Sequence, residues 1–292
     1  MKRADGYKLK DCDPFYDIIP HIMPFRYDAM NYIDLELNME EIQGYVNRCR
    51  SRGLKMSHMS VIAAAYLRLV SQNPYLNRFV CNKKIYGRNH FCISFTTLKT
   101  EEGGSEETVT KVYFNLDDDI FEVNRKITEA IDVNRRADGN NSMDKLLRKL
   151  MKVPVLVGSI VNVLKWWDKH FGLPMSVVDA SPFHTSLFIT NLASIRLNAV
   201  YHHLYSFGTT SIFLAMGQTQ KKLYKKGEVI DEKKVMPVKV TTDERIADGN
   251  YFGKCFKELR GYLSNPEQLE VKPDQVVRDP NVKVKFPKFI VK

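Results

Sequence analysis

Apolar and polar residues alternate through Pro24–Leu37, PFRYDAMNYIDLEL, with the period of a strand that buries one face. The next stretch, Asn38–Gly53, opens on an Asn cap followed by acids and closes on glycine, the punctuation of a helix. Met56–Pro74 is apolar nearly all round, at Val61, Ile62, Ala65, Leu69 and Val70, so a second helix is expected at the centre of the core. Strands are predicted at 78–87, at 90–99 and, after a polar loop at 101–107, at 108–116. The helix predicted over 119–139 carries Ile120, Val123, Ile127 and Ile131 on one face. The segment 142–178 is helical in composition, broken at Pro154 and the most apolar of the chain. Its adjacent Trp166 and Trp167 point about 100° apart on a helix and cannot both face one core, which leaves one of them for a contact surface or a pocket. This segment is expected to border an acyl pocket; the plainer reading is a helical hairpin packed on the sheet. Strands follow at 185–194, 211–222 and 234–244, with a loop at 195–210 between the first two. A last helix begins near Asn250 and is expected to bury one face of Tyr251, Phe252, Cys255, Phe256, Leu259, Tyr262 and Leu263.

With 292 residues, 44% of them hydrophobic, the chain can bury a core of one large domain or two small ones. No run of about 18 apolar residues and no signal peptide is visible, and five scattered cysteines form no C-x-x-C pair, so a disulfide framework and a zinc site are not expected and the thiols read as reduced in a cytoplasmic protein. The net charge of +10 is spread among acids rather than gathered in one block. It suits an anionic small molecule such as coenzyme A better than nucleic acid. The basic carboxyl-terminal stretch, Arg278–Lys292, reads as a solvated tail or as a strand laid on a neighbouring subunit.

The order of these elements, with NPYLN, LFITNL, FLAMG, DERIADG and NPEQL at their junctions, resembles over residues 20–270 the catalytic core of the dihydrolipoyl acyltransferases of 2-oxo-acid dehydrogenase complexes, and so chloramphenicol acetyltransferase. The resemblance implies an α/β fold, an α+β two-layer sandwich with a mixed sheet and flanking helices. It divides the chain into an arm at 1–19, a core at 20–270 with a helical insertion at 142–178, and a tail at 271–292. It implies coenzyme A thioesters as substrates, no metal, and a homotrimer or a higher multiple of three whose active site lies between subunits. The family motif D-H-R-x-x-D-G is matched by Asp243, Arg245, Asp248 and Gly249, but Glu244 stands where the family has its general-base histidine. Thr190 and Asn191 occupy the place of the hydroxyl and amide that meet the oxyanion, and His203, with His202, falls in the loop near the threefold axis. The catalytic set so implied is Glu244, Thr190 and Asp248, with Asn191 and His203 toward coenzyme A.

Glu244 reads either as a retuned base or as a residue merely paired with Arg245 or a lysine at a retired site. Asp248 and Gly249 read equally as a turn that caps the last helix. His184, His202 and His203 are candidates to replace the missing imidazole; Arg26 and Asp28 are placed on the first strand, where partners of the Asp248 turn could lie, and are read by default as residues of a structural ion pair. Because no lipoyl domain precedes residue 20, delivery of an acyl group on a swinging arm would need a separate lipoyl-bearing protein. Two functions are open at this stage: a coenzyme A-dependent acyltransferase, and a trimeric or cage-forming scaffold that has kept the fold and lost the chemistry.

Overall fold

The computed structural model describes residues 3–101, 104–136, 154–285 and 287–292. Residues 137–153, which include the first part of the apolar segment, lie outside them.

The chain enters through β1 (Gly6–Lys8) and α1 (Pro14–Ile22). That helix is absent from the sequence expectation, although Asp13 caps it by accepting the Phe15 N–H at 2.9 Å and a proline follows the cap. A 3-10 turn at Tyr27–Ala29 then shortens the expected first strand to β2 (Met30–Asn38). Next come α2 (Met39–Ser51) and α3 (His58–Gln72). The single strand expected at 78–87 is a hairpin, β3 (Arg78–Cys81) and β4 (Lys84–Arg88), turned at Asn82 and Lys83, both with positive φ as a two-residue hairpin turn requires. β5 (Phe91–Glu101) and β6 (Gly104–Phe114) run farther into the expected loop than the sequence suggests and are followed by α4 (Ile120–Arg136). Past the undescribed residues lie α5 (Pro154–His170) and α6 (Met175–Ala180). β7 (Leu187–Asn191), β8 (Ile212–Met216), β9 (Gln220–Lys226), β10 (Val229–Asp243) and α7 (Gly249–Ser264) complete the order.

A seven-stranded sheet runs β2-β10-β8-β7-β5-β6, with β9 hairpinned onto β10, and β1-β4-β3 form a smaller sheet. β7 is parallel to both β5 and β8, while the other pairings of the large sheet are antiparallel, so it is mixed. One face packs on α2, α3, α4 and α7 around Ile42, Val61, Ile62, Leu69, Phe95, Leu214, Val240 and Phe252, each at most 2% exposed. Burial of such side chains contributes roughly 1.5–3 kcal/mol apiece. The opposite face carries a smaller cluster of Phe188, Leu204 and Phe213 under the loop from 192 to 210.

The basic tail packs back on its own chain. Val277 N–H donates to Ser71 O at 2.8 Å, Ile290 N–H to Asn89 O at 2.6 Å, and the Asp279 carboxylate takes both Nε and Nη2 of buried Arg78. The tryptophans also depart from expectation. Trp166 and Trp167 are 55% and 50% exposed, so neither faces the core, and both lie against Phe171 at the outer end of α5.

Candidate functional site

The strand-to-helix turn after β10 is built around one buried carboxylate. Asp243, fully buried, accepts Nε and Nη2 of Arg245 at 2.8 and 2.7 Å, and Arg245 Nη1 reaches back to Met23 O. Arg26, which precedes the 3-10 turn instead of lying on the first strand, comes within 3.9 Å of the same carboxylate and donates to Tyr205 O and Gly208 O. Burial pulls the Arg26 guanidinium below its ordinary value, opposed by Asp243. Arg26 is therefore in a structural ion pair, as its default reading has it, with Asp243 as the partner and not the Asp248 turn, and Asp28 is exposed.

These bonds spend both guanidinium groups and leave Glu244 without either. Its N–H donates to Ala29 O at 2.9 Å, and its Oε2 accepts from Asn31 Nδ2 at 2.5 Å. The register of β2 on β10, Asn31 opposite Thr242, sets this meeting. Among the described residues Glu244 has no ion pair, so the pairing with Arg245 or a lysine that one of its two readings supposes is not formed. The side chain is half-buried and remains accessible.

Asp248 caps α7. Its Oδ1 accepts the Tyr251 N–H at 2.7 Å and its Oδ2 the Tyr16 hydroxyl at 2.9 Å, and the Tyr251 N–H, foremost, holds its carboxyl below the usual range. Gly249 is the first helical residue, with no positive φ and nothing within 4 Å of a Cβ placed there, so the turn draws on no special backbone freedom at this glycine.

Thr190 and Asn191 end β7, opposite Ala215 and Met216 of β8. Among the described residues the Thr190 hydroxyl has no hydrogen-bond partner, and the buried Oδ1 of Asn191 has none either. Thr242 lies opposite Ile212, at the other end of β8, which places Glu244 about five residues along the sheet and two strands away from Thr190, roughly 19 Å at ordinary strand spacings. The two do not meet within one chain.

The histidines divide. His184 is fully buried, its Nδ1 2.8 Å from Ser181 Oγ and its Nε2 3.4 Å from Asp168, itself bound by Arg3; burial lowers its pKa, and it is structural. His202 stacks flat on Phe213 at 4.6 Å, and exposed His203 meets Tyr205 edge-on. Neither is bonded to Glu244. A cavity of ≈ 350 Å³ lies under the carboxyl-terminal strap, lined by Val70, Asn77, Leu116, Val277 and Phe289 among others, and touches none of the site residues expected from sequence. Asn31, which sequence reasoning missed, could have been found only through the register of β2 on β10. Among the described residues there is no group of three side chains suited to a metal.

A mixed sheet with helices on one face, a capped strand-to-helix turn carrying the candidate base, and a free hydroxyl at the end of a parallel strand define a two-layer acyltransferase-like fold. The 2-oxoacid dehydrogenases acyltransferase (catalytic domain) family profile matches residues 185–271, which span β7, β8, β10 and the Glu244 turn. Among solved structures, a probable dihydrolipoamide acetyltransferase from Listeria monocytogenes aligns with a TM-score of 0.55 at 14% identity, covering 89% of this chain and 95% of its own. The cubic core of the pyruvate dehydrogenase multienzyme complex gives 0.55 at 12% identity, covering 88% of each chain. A chloramphenicol acetyltransferase gives 0.50 at 13%, covering 83% of this chain and 92% of its own. No curated protein matches the sequence. The fold is thus that of the dihydrolipoyl acyltransferase cores and of chloramphenicol acetyltransferase, as the order of motifs implies.

Proposed function

We propose that this chain is a coenzyme A-dependent acyltransferase whose active site is completed between subunits, Glu244 of one meeting Thr190 of the next. The observation that carries the reading is the state of Glu244. A retired site has no need to keep a carboxylate accessible and free of cations, yet Arg245 and Arg26 are both engaged elsewhere and, among the described residues, a neutral amide is the side chain that orients it. The carboxylate then accepts the proton of the attacking nucleophile, while the unpartnered Thr190 hydroxyl donates to the oxygen of the thioester carbonyl as it becomes an oxyanion. Asn191 lies beside that hydroxyl, Asp248 holds the turn through the cap, and exposed His203 is free to meet the cofactor's phosphates.

The distance between Thr190 and Glu244 in one chain supports a trimer or a multiple of it. So does the cubic core among the structural neighbours, since cubic symmetry contains threefold axes. No described helix is long and apolar enough to cross a membrane.

Two substitutions test the reading. Glu244→Gln keeps the shape and the bond from Asn31 but removes the proton acceptor, and should lower acyl transfer from acetyl coenzyme A by about 10² to 10⁴ while coenzyme A binding, followed by calorimetry, is unchanged. Glu244→His should raise transfer to dihydrolipoamide above the wild-type level. If Gln changes nothing in any thioester assay and His confers no transfer, with both proteins assembled, the chain is a scaffold and the catalytic reading fails.

A further inference from the structure

We infer that the acceptor is a primary amine on an apolar or aromatic body, in place of the thiol for which a histidine base is suited. The inference rests on Glu244 acting as proposed, and it follows from charge. In a chain of net charge +10, Glu244 is accessible and carries no cation among the described residues, its only side-chain partner being the Asn31 amide. The nearest guanidinium groups, those of Arg26 and Arg245, are committed to Asp243 and to backbone carbonyls. The position is therefore set for a positive group from outside the chain.

The chemistry of the step points the same way. A thiol gives up its proton to become an anion, and a carboxylate beside it opposes that charge. A neutral amine acquires positive charge as it attacks, and a fixed carboxylate stabilises it. The nitrogen lone pair forms the C–N bond to the thioester carbon, and the nitrogen, now acidic, passes one proton to Glu244. The C–S bond then breaks, and the coenzyme A sulfur leaves and takes that proton. One amine and one thioester become one amide and one thiol, with no further reactant.

The flank of the site fits the body of such an acceptor. Phe25 and Tyr27 belong to the same short segment as Ala29, whose carbonyl holds the Glu244 N–H. Their rings stack at 5.2 Å and 6°, yet they are 55% and 62% exposed. Aromatic faces of this kind attract ammonium groups and cover apolar ones.

Three acceptors that differ in one group provide the test: 2-phenylethylamine, 2-phenylethanol and 2-phenylethanethiol, each with acetyl coenzyme A, products measured by mass spectrometry above the enzyme-free background. The expected result is amide as the main product, formed about 10² to 10⁴ more slowly by Glu244→Gln. The double variant Phe25→Ala/Tyr27→Ala should raise KM for the amine by about 2- to 5-fold. If Glu244-dependent transfer goes to the thiol or the alcohol at a rate equal to or above that to the amine, the acceptor inference is overturned while the acyltransferase reading stands. If the assembled protein shows no Glu244-dependent transfer to any of the three, both fall.

Discussion

The buried imidazoles bear on how the molecule answers pH. His90 and His184 are both fully buried and both held below the ordinary histidine value, burial being the first cause in each. Arg88 and Lys111 push His90 further in the same direction, whereas Asp168 partly restores His184. In the unfolded chain each imidazole binds a proton near pH 6.5, while the folded protein resists until lower pH. The unfolded state therefore takes up more protons as pH falls below about 6.5, so stability is fully present above that value and is lost progressively beneath it. Urea unfolding midpoints should accordingly decline between about pH 7 and pH 5, and His90→Gln should flatten part of that decline. An unchanged slope in the variant would mean that His90 carries none of it.

Among the elements, the carboxyl-terminal strap most clearly exceeds what its composition suggests. It crosses α3 and the hairpin of β3 and β4, and its main clamp is Asp279 on Arg78, whose side chains are only 6% and 1% exposed. Val282 sits directly over Gly87, where a Cβ would come within 2.8 Å of its Cγ2. Removing the carboxylate leaves a buried guanidinium held by Asn281 and the face of Tyr75. Asp279→Ala should therefore cost about 3 kcal/mol in denaturant unfolding, near the lower end for breaking a buried pair. It should also open Lys283, Lys285 and Lys288 to trypsin under native conditions. If neither stability nor cleavage changes, the strap is held by its backbone bonds alone.

At the scale of the whole molecule, the proposed function has to bring together a hydroxyl and a carboxylate roughly 19 Å apart on one sheet. A site between subunits does so and makes a prediction that a site within one chain cannot satisfy. Thr190→Val and Glu244→Gln chains should each be nearly inactive alone. Unfolded together and refolded in equal amounts, they should recover roughly a quarter of wild-type activity, because about one interface in four then pairs an intact Thr190 with an intact Glu244. Sedimentation of the wild type should give a trimer or a multiple of three, and an active strict monomer would remove the interfacial site altogether.

Periodicity was enough to place α4 and α7, because each buries one apolar face and local spacing reports that directly, while the cap and closing glycine marked α2 and apolar residues nearly all round marked α3. The Asp248 cap was legible for the same reason, since a cap is a contact between near neighbours in sequence. The order of motifs carried the resemblance, and with it the fold. What the sequence could not show were contacts between residues far apart in the chain. α1 lacked a visible buried face because Phe15, Ile18 and Ile22 point outward. The tail's charge suggested solvent, yet Arg78, some 200 residues earlier, holds it down. Glu244 is the sharpest case. From the sequence, pairing with Arg245 or a lysine and service as a base stood level, and only the fold, by burying Asp243 where it claims that guanidinium and by setting Asn31 opposite Thr242, left the carboxylate without a cation among the described residues.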